Sequence, residues 1–364
     1  MASRGRPDFF LVALVLGLTS IGILVVFSAS APGALKTFGT PYYYLERQLI
    51  WTFLGLILMA MTSRIDYWRY TRGIVPLFGI TVVLLLLVLV PHIGIDINGS
   101  RRWLGAGPIL LQPSELAKLA MVLLFARLFS LHRDRLRDFW KGVIPHLGLA
   151  TIVFALVLAE PDLGTTIALS GTFFVMLFVA GARRRHLLGL GSAALPVLGA
   201  AIAVAPYRLQ RVTTFIDPWK DPLGSGFHTI QGLLALGSGG ILGLGLGASR
   251  QALGFLPEAY TDFAFAILGE ELGLVGTVSV VGLFLLLAWR GYRIAMRSPD
   301  LFGSLLATGI TTMLALQAGI NIGVVTDTLP VTGITLPFIS YGGSSLVLSM
   351  AGIGILLNIS RHTV

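Results

Sequence analysis

The chain has 364 residues, of which 55% are hydrophobic and 12% charged, with a mean hydropathy of +0.85 and a net charge of +9. This composition excludes a soluble globular domain and marks a polytopic membrane protein, each span of which satisfies its own backbone hydrogen bonds as helix. With no cysteine, disulfides and thiolate metal sites are excluded, and the six histidines form no HExxH-type pair.

Hydropathy predicts an all-α fold of ten transmembrane helices in a single integral membrane domain covering 1–364. The spans fall at about 9–29, 46–62, 74–91, 112–130, 143–159, 164–181, 187–206, 262–289, 302–325 and 337–358. Of the 26 basic residues, 17 fall on one face of this arrangement, and the positive-inside rule makes that face cytoplasmic, with both termini. The positive charge is therefore a topology signal and an anchor at anionic lipid, not a nucleic-acid surface. The first span carries basic residues ahead of it and a cleavage-like Ala29-Ser30-Ala31. Its apolar run is too long for a signal peptide, so it reads as an uncleaved helix.

The first outer loop, Ser30–Leu45, carries Tyr42, Tyr43 and Tyr44, read as an interfacial aromatic belt. The second, His92–Leu111, is rich in Gly, Asn and Pro and reads as a structured loop. Arg101, Arg102 and Trp103 stand together in it. Guanidiniums bind pyrophosphate or carboxylate, and an indole offers a stacking face to a sugar; the ordinary alternative is an interfacial anchor. Asn98-Gly99-Ser100 fits a glycosylation sequon. Glu115 and Lys118, three residues apart just inside the fourth span, share a helix face. Such a pair in a membrane should face a partner or a watery cavity, and a purely structural ion pair is the alternative. Glu160 and Asp162 lie at the next outer break.

The one large loop, about 207–261, lies outside and holds Arg208, Arg211 and a candidate interfacial helix at Phe227–Leu236. Its GSGGILGLGLG run lacks the Gly-Lys-Ser/Thr ending of a phosphate loop and reads as close-packed backbone. Then comes GFLPEAYTDFAFAILGEELG. Thr261 is a candidate helix cap, with Asp262 in the first turn of a long apolar helix. A half-buried carboxylate at a helix N-terminus stays ionised and suits a general base; the alternative is that Asp262 only caps. At 3.6 residues per turn, Glu270 lies about 80° round from Asp262 and Glu271 about 180° round, and at least one should bond a neighbouring helix. Gln317 and Asn321, four apart, read as a polar helix contact. Pro330 and Pro337 then break the backbone, and Ser340, Tyr341, Ser344 and Ser345 place hydroxyls at membrane depth. Carboxylates from three separate breaks (Glu115, Asp162 and Asp262), with cations beside them, are expected to converge on one outward-facing cavity.

The stretches NGSRRWLGAGPILLQPSELAKL, EPDLGT, DPLGSGFHTIQGLLALGSGG, LPEAYTDFAFAILGEELGLVG and LPVTGITLPFISYGGSS, in this order, resemble the SEDS family typified by RodA, FtsW and SpoVE. GLGASRQ, VTGITLPFISYGGSS and the final NISR look more like the FtsW/SpoVE branch, while the separation from RodA stays open. The resemblance implies a peptidoglycan glycosyltransferase that polymerises lipid II at the outer face of the bacterial inner membrane. It also implies work with a class B penicillin-binding protein and other elongasome or divisome proteins. The family's essential aspartate maps to Asp262, and its cavity glutamate, lysine and second aspartate map to Glu115, Lys118 and Asp162. The expected substrate contacts are these three with Arg101, Arg102, Trp103, Arg211, Glu258, Ser340 and Ser344. A divalent cation, Mg or Mn, at Glu115 or Asp162 is compatible with these residues, though no motif requires one. The alternatives are a lipid II flippase or other transporter, or a non-catalytic scaffold that activates the transpeptidase.

Overall fold

The computed structural model describes residues 5–97, 100–106 and 109–363, so Asn98 and Gly99 of the sequon lie outside the described residues. The fold is an all-α membrane bundle. Its helices are α1 (Phe9–Phe38), α2 (Tyr43–Arg64), α3 (Tyr70–Leu89), α4 (Pro113–Leu131), α5 (Ile144–Ala159), α6 (Leu163–Val179), α7 (Arg184–Ala203), α8 (Pro206–Ile216), α9 (Phe227–Ser238), α10 (Ala264–Met296), α11 (Leu301–Val325) and α12 (Gly343–Ser360). Among the described residues, eight segments are long and apolar enough to cross a membrane. The two remaining expected spans are α4, which carries Glu115, Lys118 and Arg127, and the 17-residue α6. α8 and α9 lie within the large loop.

The bundle is centred on α11 and α12. Protein buries 78% and 89% of their apolar windows, against 11% for α7, which is therefore peripheral. With no hydrophobic driving force between helices in lipid, polar contacts and close packing hold neighbours in register. Along α2 and α12, Thr62 Oγ1 donates to Ala351 O at 3.1 Å and Asn358 Nδ2 donates to Ser63 O at 3.0 Å. The chain ends meet at one end of the bundle, where Gly5 N–H donates to Arg361 O and Asp8 N–H to Ser360 Oγ. Asp262 lies at the other end.

Three features differ from expectation. α1 continues to Phe38, so the first loop is much shorter than Ser30–Leu45. The loop before α4 is a small antiparallel sheet of β1 (Ile95–Ile97), β2 (Ser100–Ala106) and β3 (Ile109–Leu111), in the order β1-β2-β3. Its pairing jumps from Asp96↔Arg101 to Ile95↔Trp103, which leaves Arg102 as the extra residue of a β-bulge.

The third is a break in α10 at Gly273, where φ is +66° and ψ −162°. Interrupting a helix orphans backbone groups that lipid cannot satisfy. The glycine-rich run supplies the partners. Leu274 and Val275 N–H donate to Gly240 and Ile241 O, and Leu244 and Gly245 N–H donate to Glu270 and Glu271 O, at 2.9–3.1 Å. The side chains lock the same junction. Glu270 accepts from Ser249 Oγ at 2.5 Å and Arg250 N–H at 3.0 Å, while Glu271 accepts from Gly247 N–H and from Ser28 of α1. The glycine run is thus close-packed backbone built around a helix break, and Glu271 makes the expected bond to a neighbouring helix.

A Cβ on Gly273 would sit 2.4 Å from Gly243 N and 2.5 Å from Ile241 O, in a left-handed conformation. Gly273→Ala is expected to destabilise the protein by on the order of 1–3 kcal/mol. Thermal unfolding in detergent should show a lowered midpoint, and an unchanged midpoint would contradict the packed break.

Candidate functional site

Asp262 does not sit in the first helical turn. α10 begins at Ala264, and residues 258–263 form a tight turn in which Thr261 and Phe263 N–H donate to Glu258 O. Glu258 holds the turn in the left-handed region at φ +53°. Thr261 is not a cap: its hydroxyl donates to Glu258 O and Oε2. Capping therefore does not account for Asp262. Its backbone carbonyl accepts Asn321 Nδ2 of α11 at 2.8 Å, and the same amide nitrogen donates to Ile334 O at 2.7 Å. One buried amide thus ties the turn to the 330–342 segment.

This turn lines a cavity of about 990 Å³, at the upper end of small-molecule sites. Two arginines and an indole come to it from other elements. Arg102, re-aimed by its bulge, is fixed by Nε donating to Glu160 O at 3.0 Å and Nη2 to Pro161 O at 2.5 Å. Its Nη1 lies 3.9 Å from Asp162 Oδ2. Arg211 of α8 donates through Nη1 to Val331 O at 3.2 Å, and Trp103 also lines the wall. Gly333 lies beside both Asp262 and Arg102. A Cβ there would be 3.5 Å from Asp262 Oδ2 and 3.8 Å from Arg102 Nη1. Among the described residues, no side chain hydrogen-bonds the Asp262 carboxylate. Desolvation and then the neighbouring Glu258 push its pKa up to about 6, while Arg102 and Arg211 hold it down.

Several expected residues lie elsewhere. Arg101 points away from the cavity, exposed and 3.9 Å from Asp96, because the bulge turns only Arg102 inward. Ser340 and Ser344 do not line the cavity. Ser340 Oγ accepts Leu336 N–H, and Ser344 Oγ accepts Gln112 N–H while donating to Leu110 O, so both hold backbone. Gly342, Gly343 and Ser345 face the cavity instead. Glu115 and Lys118 are buried one layer beneath it, paired at 2.8 Å. Lys118 Nζ donates to Gln317 Oε1 at 2.6 Å, and Gln317 Nε2 donates to Thr335 O and Ser345 Oγ, two residues of the cavity wall. Asp162 is likewise behind the wall, its two oxygens accepting Thr165 N–H and Oγ1 at the start of α6. The three carboxylates thus form a surface layer and a support layer, not one cluster. Beside Asp162, the fully buried Glu160 has a pKa pushed up to about 9 by burial and then by Asp162, so it is protonated at neutral pH.

Glu115 and Asp162 do not fit a divalent cation. One is neutralised by an ammonium, the other is spent on a helix cap, and no group of three acidic or histidine ligands gathers among the described residues.

The opposite wall was not foreseen as part of the site. Tyr43, Tyr44, Arg47 and Trp51 of α2 line it together with Tyr260 and Tyr341. The Arg47 guanidinium lies 4.3 Å from the Tyr43 ring centroid, and Tyr260 donates to Tyr44 Oη at 3.1 Å. Tyr43 and Tyr44 are therefore cavity residues, while Tyr42 is exposed. The signal was available: Tyr44, Arg47 and Trp51 recur at i, i+3 and i+7, one helix face. His228 of α9 also lines the cavity, its pKa lowered mainly by burial, and had no motif to mark it.

Fold and cavity define a polytopic membrane protein with an enzyme-type polar site at one end of its bundle. The chain belongs to the FtsW/RodA/SpoVE family of cell cycle proteins, whose sequence model matches residues 9–364. It is 47% identical over 360 residues to stage V sporulation protein E of Bacillus subtilis, covering 99% of this chain and 98% of that protein. It is 42% identical over 357 residues to a probable peptidoglycan glycosyltransferase FtsW of Geobacter metallireducens, covering 98% and 95%. Among solved structures it resembles a chain from work described as the structural coordination of polymerization and crosslinking by a peptidoglycan synthase complex. That match has a TM-score of 0.80, 36% identity and 98% coverage of both chains. The crystal structure of the Thermus thermophilus rod shape determining protein RodA matches with a TM-score of 0.72 and 33% identity, over 98% of this chain and 97% of that one.

The layered arrangement makes a thermodynamic prediction. Lys118→Met leaves the buried Glu115 without its cation and should cost about 3–5 kcal/mol. The double change Glu115→Leu with Lys118→Met should cost less. Unfolding midpoints of the two variants check the order, and a double variant less stable than the single one would contradict the buried pair.

Proposed function

We propose that the chain is a peptidoglycan glycosyltransferase that polymerises lipid II, with Asp262 as its general base. The observation that carries this reading is the Asp262 carboxylate, which no side chain among the described residues hydrogen-bonds, presented in a large cavity and flanked by the fixed guanidinium of Arg102. Its raised pKa near 6 matches a base working near neutrality, where most of it is ionised yet still basic enough to take a proton.

The donor is a glycan, or a first lipid II, linked through pyrophosphate to a polyprenol. The acceptor is another lipid II. Its GlcNAc 4-hydroxyl attacks the donor's anomeric carbon, the new C–O bond forms as the bond to pyrophosphate breaks, and the centre inverts. Asp262 receives the hydroxyl proton. The leaving pyrophosphate gains negative charge, which Arg102 and Arg211 offset. Trp103 offers a stacking face to a sugar. Lys118 and Glu115 act through Gln317 on the cavity wall, not at the pyrophosphate.

The proposed location is the bacterial inner membrane, with both termini cytoplasmic and the cavity facing outside, an orientation that the distribution of basic residues supports. There the product meets its cross-linking enzyme, and a class B penicillin-binding protein is the proposed partner. The similar chain from a peptidoglycan synthase complex that couples polymerization to crosslinking supports this partner.

Purified protein with its cognate transpeptidase and fluorescent lipid II tests the reading. Asp262→Asn should lower polymerisation by roughly 10²–10⁴ while leaving the unfolding midpoint and complex formation intact. Polymer formation equal to wild type would remove Asp262 from the chemistry. A flippase or scaffold role would survive that substitution, so retained lipid II translocation in vesicles, with no polymer from either form, would favour the transporter alternative.

A further inference from the structure

At the end of the bundle opposite Asp262 lies a second cavity, of about 380 Å³. Three separated parts of the chain enclose it: the segment before α1, the end of α10 and the end of α12. Arg6, Arg290, Arg293 and Arg297 all line it. Among the described residues Asp8 is the one carboxylate in that lining, and both its oxygens are occupied. Oδ1 accepts Leu11 N–H at the start of α1, and Oδ2 accepts Arg290 Nε at 2.5 Å. Among the described residues, Arg6, Arg293 and Arg297 pair with no carboxylate. Arg290 and Arg293 are half-buried and lie against rings: the Arg293 guanidinium carbon is 5.4 Å from the centroid of Trp289, and that of Arg290 is 5.6 Å from the centroid of Phe10.

We propose that this pocket binds the phosphate group of an anionic phospholipid. Guanidiniums gathered on one concave surface repel each other unless an anion neutralises them, and their planar forks match phosphate oxygens two at a time. The volume suits a headgroup, falling within the roughly 300–1,000 Å³ of small-molecule sites. The surroundings identify the source of the phosphate. Phe9, Trp289 and Met296 flank the cationic residues and are exposed by 65%, 52% and 79%. They supply an apolar surface for acyl chains next to a charged surface for the headgroup. A basic pocket between helix ends at the membrane surface is a lipid-headgroup site by its chemistry: Arg290 and Arg293 are half-buried in it and Arg6 and Arg297 are exposed, whereas the exposed loop arginines Arg133, Arg135 and Arg137 lie outside it and attract a charged surface only diffusely. The occupant would also tie the N-terminal segment to the end of α10, the helix whose other end follows Asp262.

Native mass spectrometry of the full-length protein tests this by titrating phosphatidylglycerol and phosphatidylcholine of matched acyl chains. The wild type should hold phosphatidylglycerol at least about tenfold more tightly than phosphatidylcholine. Arg293→Gln with Arg297→Gln should remove most of that preference, and Arg135→Gln with Arg137→Gln should leave it unchanged. Equal binding of the two lipids by the wild type would overturn the proposal whether or not the variants fold. So would equal losses from the two pairs of substitutions, because that pattern describes diffuse charge and not a built pocket. Displacement of the lipid by millimolar inorganic phosphate would leave recognition of the phosphate group standing but overturn phospholipid as its source.

Discussion

The structure turns on the buried amide of Asn321. A carboxylate proposed as a base at the membrane boundary must be held rigidly, yet stay free of hydrogen-bonding side chains. Asn321 resolves this by holding the backbone of Asp262 instead of its side chain. Its Nδ2 donates both to Asp262 O and to Ile334 O, so α11 fixes the turn before α10 against the segment that brings Gly333 beside the carboxylate. A buried donor left unpaired costs about 1–3 kcal/mol, so the clamp resists opening. Around it, Arg102 is fixed by two carbonyls and Arg211 by one.

Beneath this surface lies a second polar layer that touches the cavity only through intermediates. Lys118 and Glu115 neutralise each other and reach the wall through Gln317, while Asp162 caps α6 and faces Arg102. Placing these pairs behind the cavity wall leaves the guanidiniums of Arg102 and Arg211 to offset charge on the proposed leaving pyrophosphate. The Gly273 break performs the corresponding task for α10. Its orphaned backbone groups bind the glycine-rich loop, which anchors the residues leading into the Glu258–Phe263 turn.

Much of this was legible in the sequence because lipid imposes strong rules. Spans such as 302–325 and 143–159 match α11 and α5 within a residue, since a hydrocarbon slab leaves few alternatives to helix. Asp262 was legible because a carboxylate beside a long apolar run is conspicuous. What escaped was local geometry. Nothing in Arg101-Arg102 says which guanidinium turns inward; a bulge in strand pairing decides it. The serines after Pro337 look alike, and only the backbone path assigns Ser345 to the cavity and Ser340 and Ser344 to structure. Gly273 is one glycine among 44, and its left-handed φ depends on a loop thirty or more residues upstream. The α2 aromatic face carried a helical period but was absorbed by the simpler explanation of a membrane-interface belt.

The most direct test of the central claim is the pH dependence of kcat/KM for lipid II polymerisation by the wild-type protein. A base with a pKa raised to about 6 must lose its proton to act, so activity should rise with pH through about 6 and level off above it. The predicted result is one acid limb with its midpoint there. A rate that stays flat between pH 5 and 8, measured where the protein remains folded, would contradict Asp262 as the base held by this cavity.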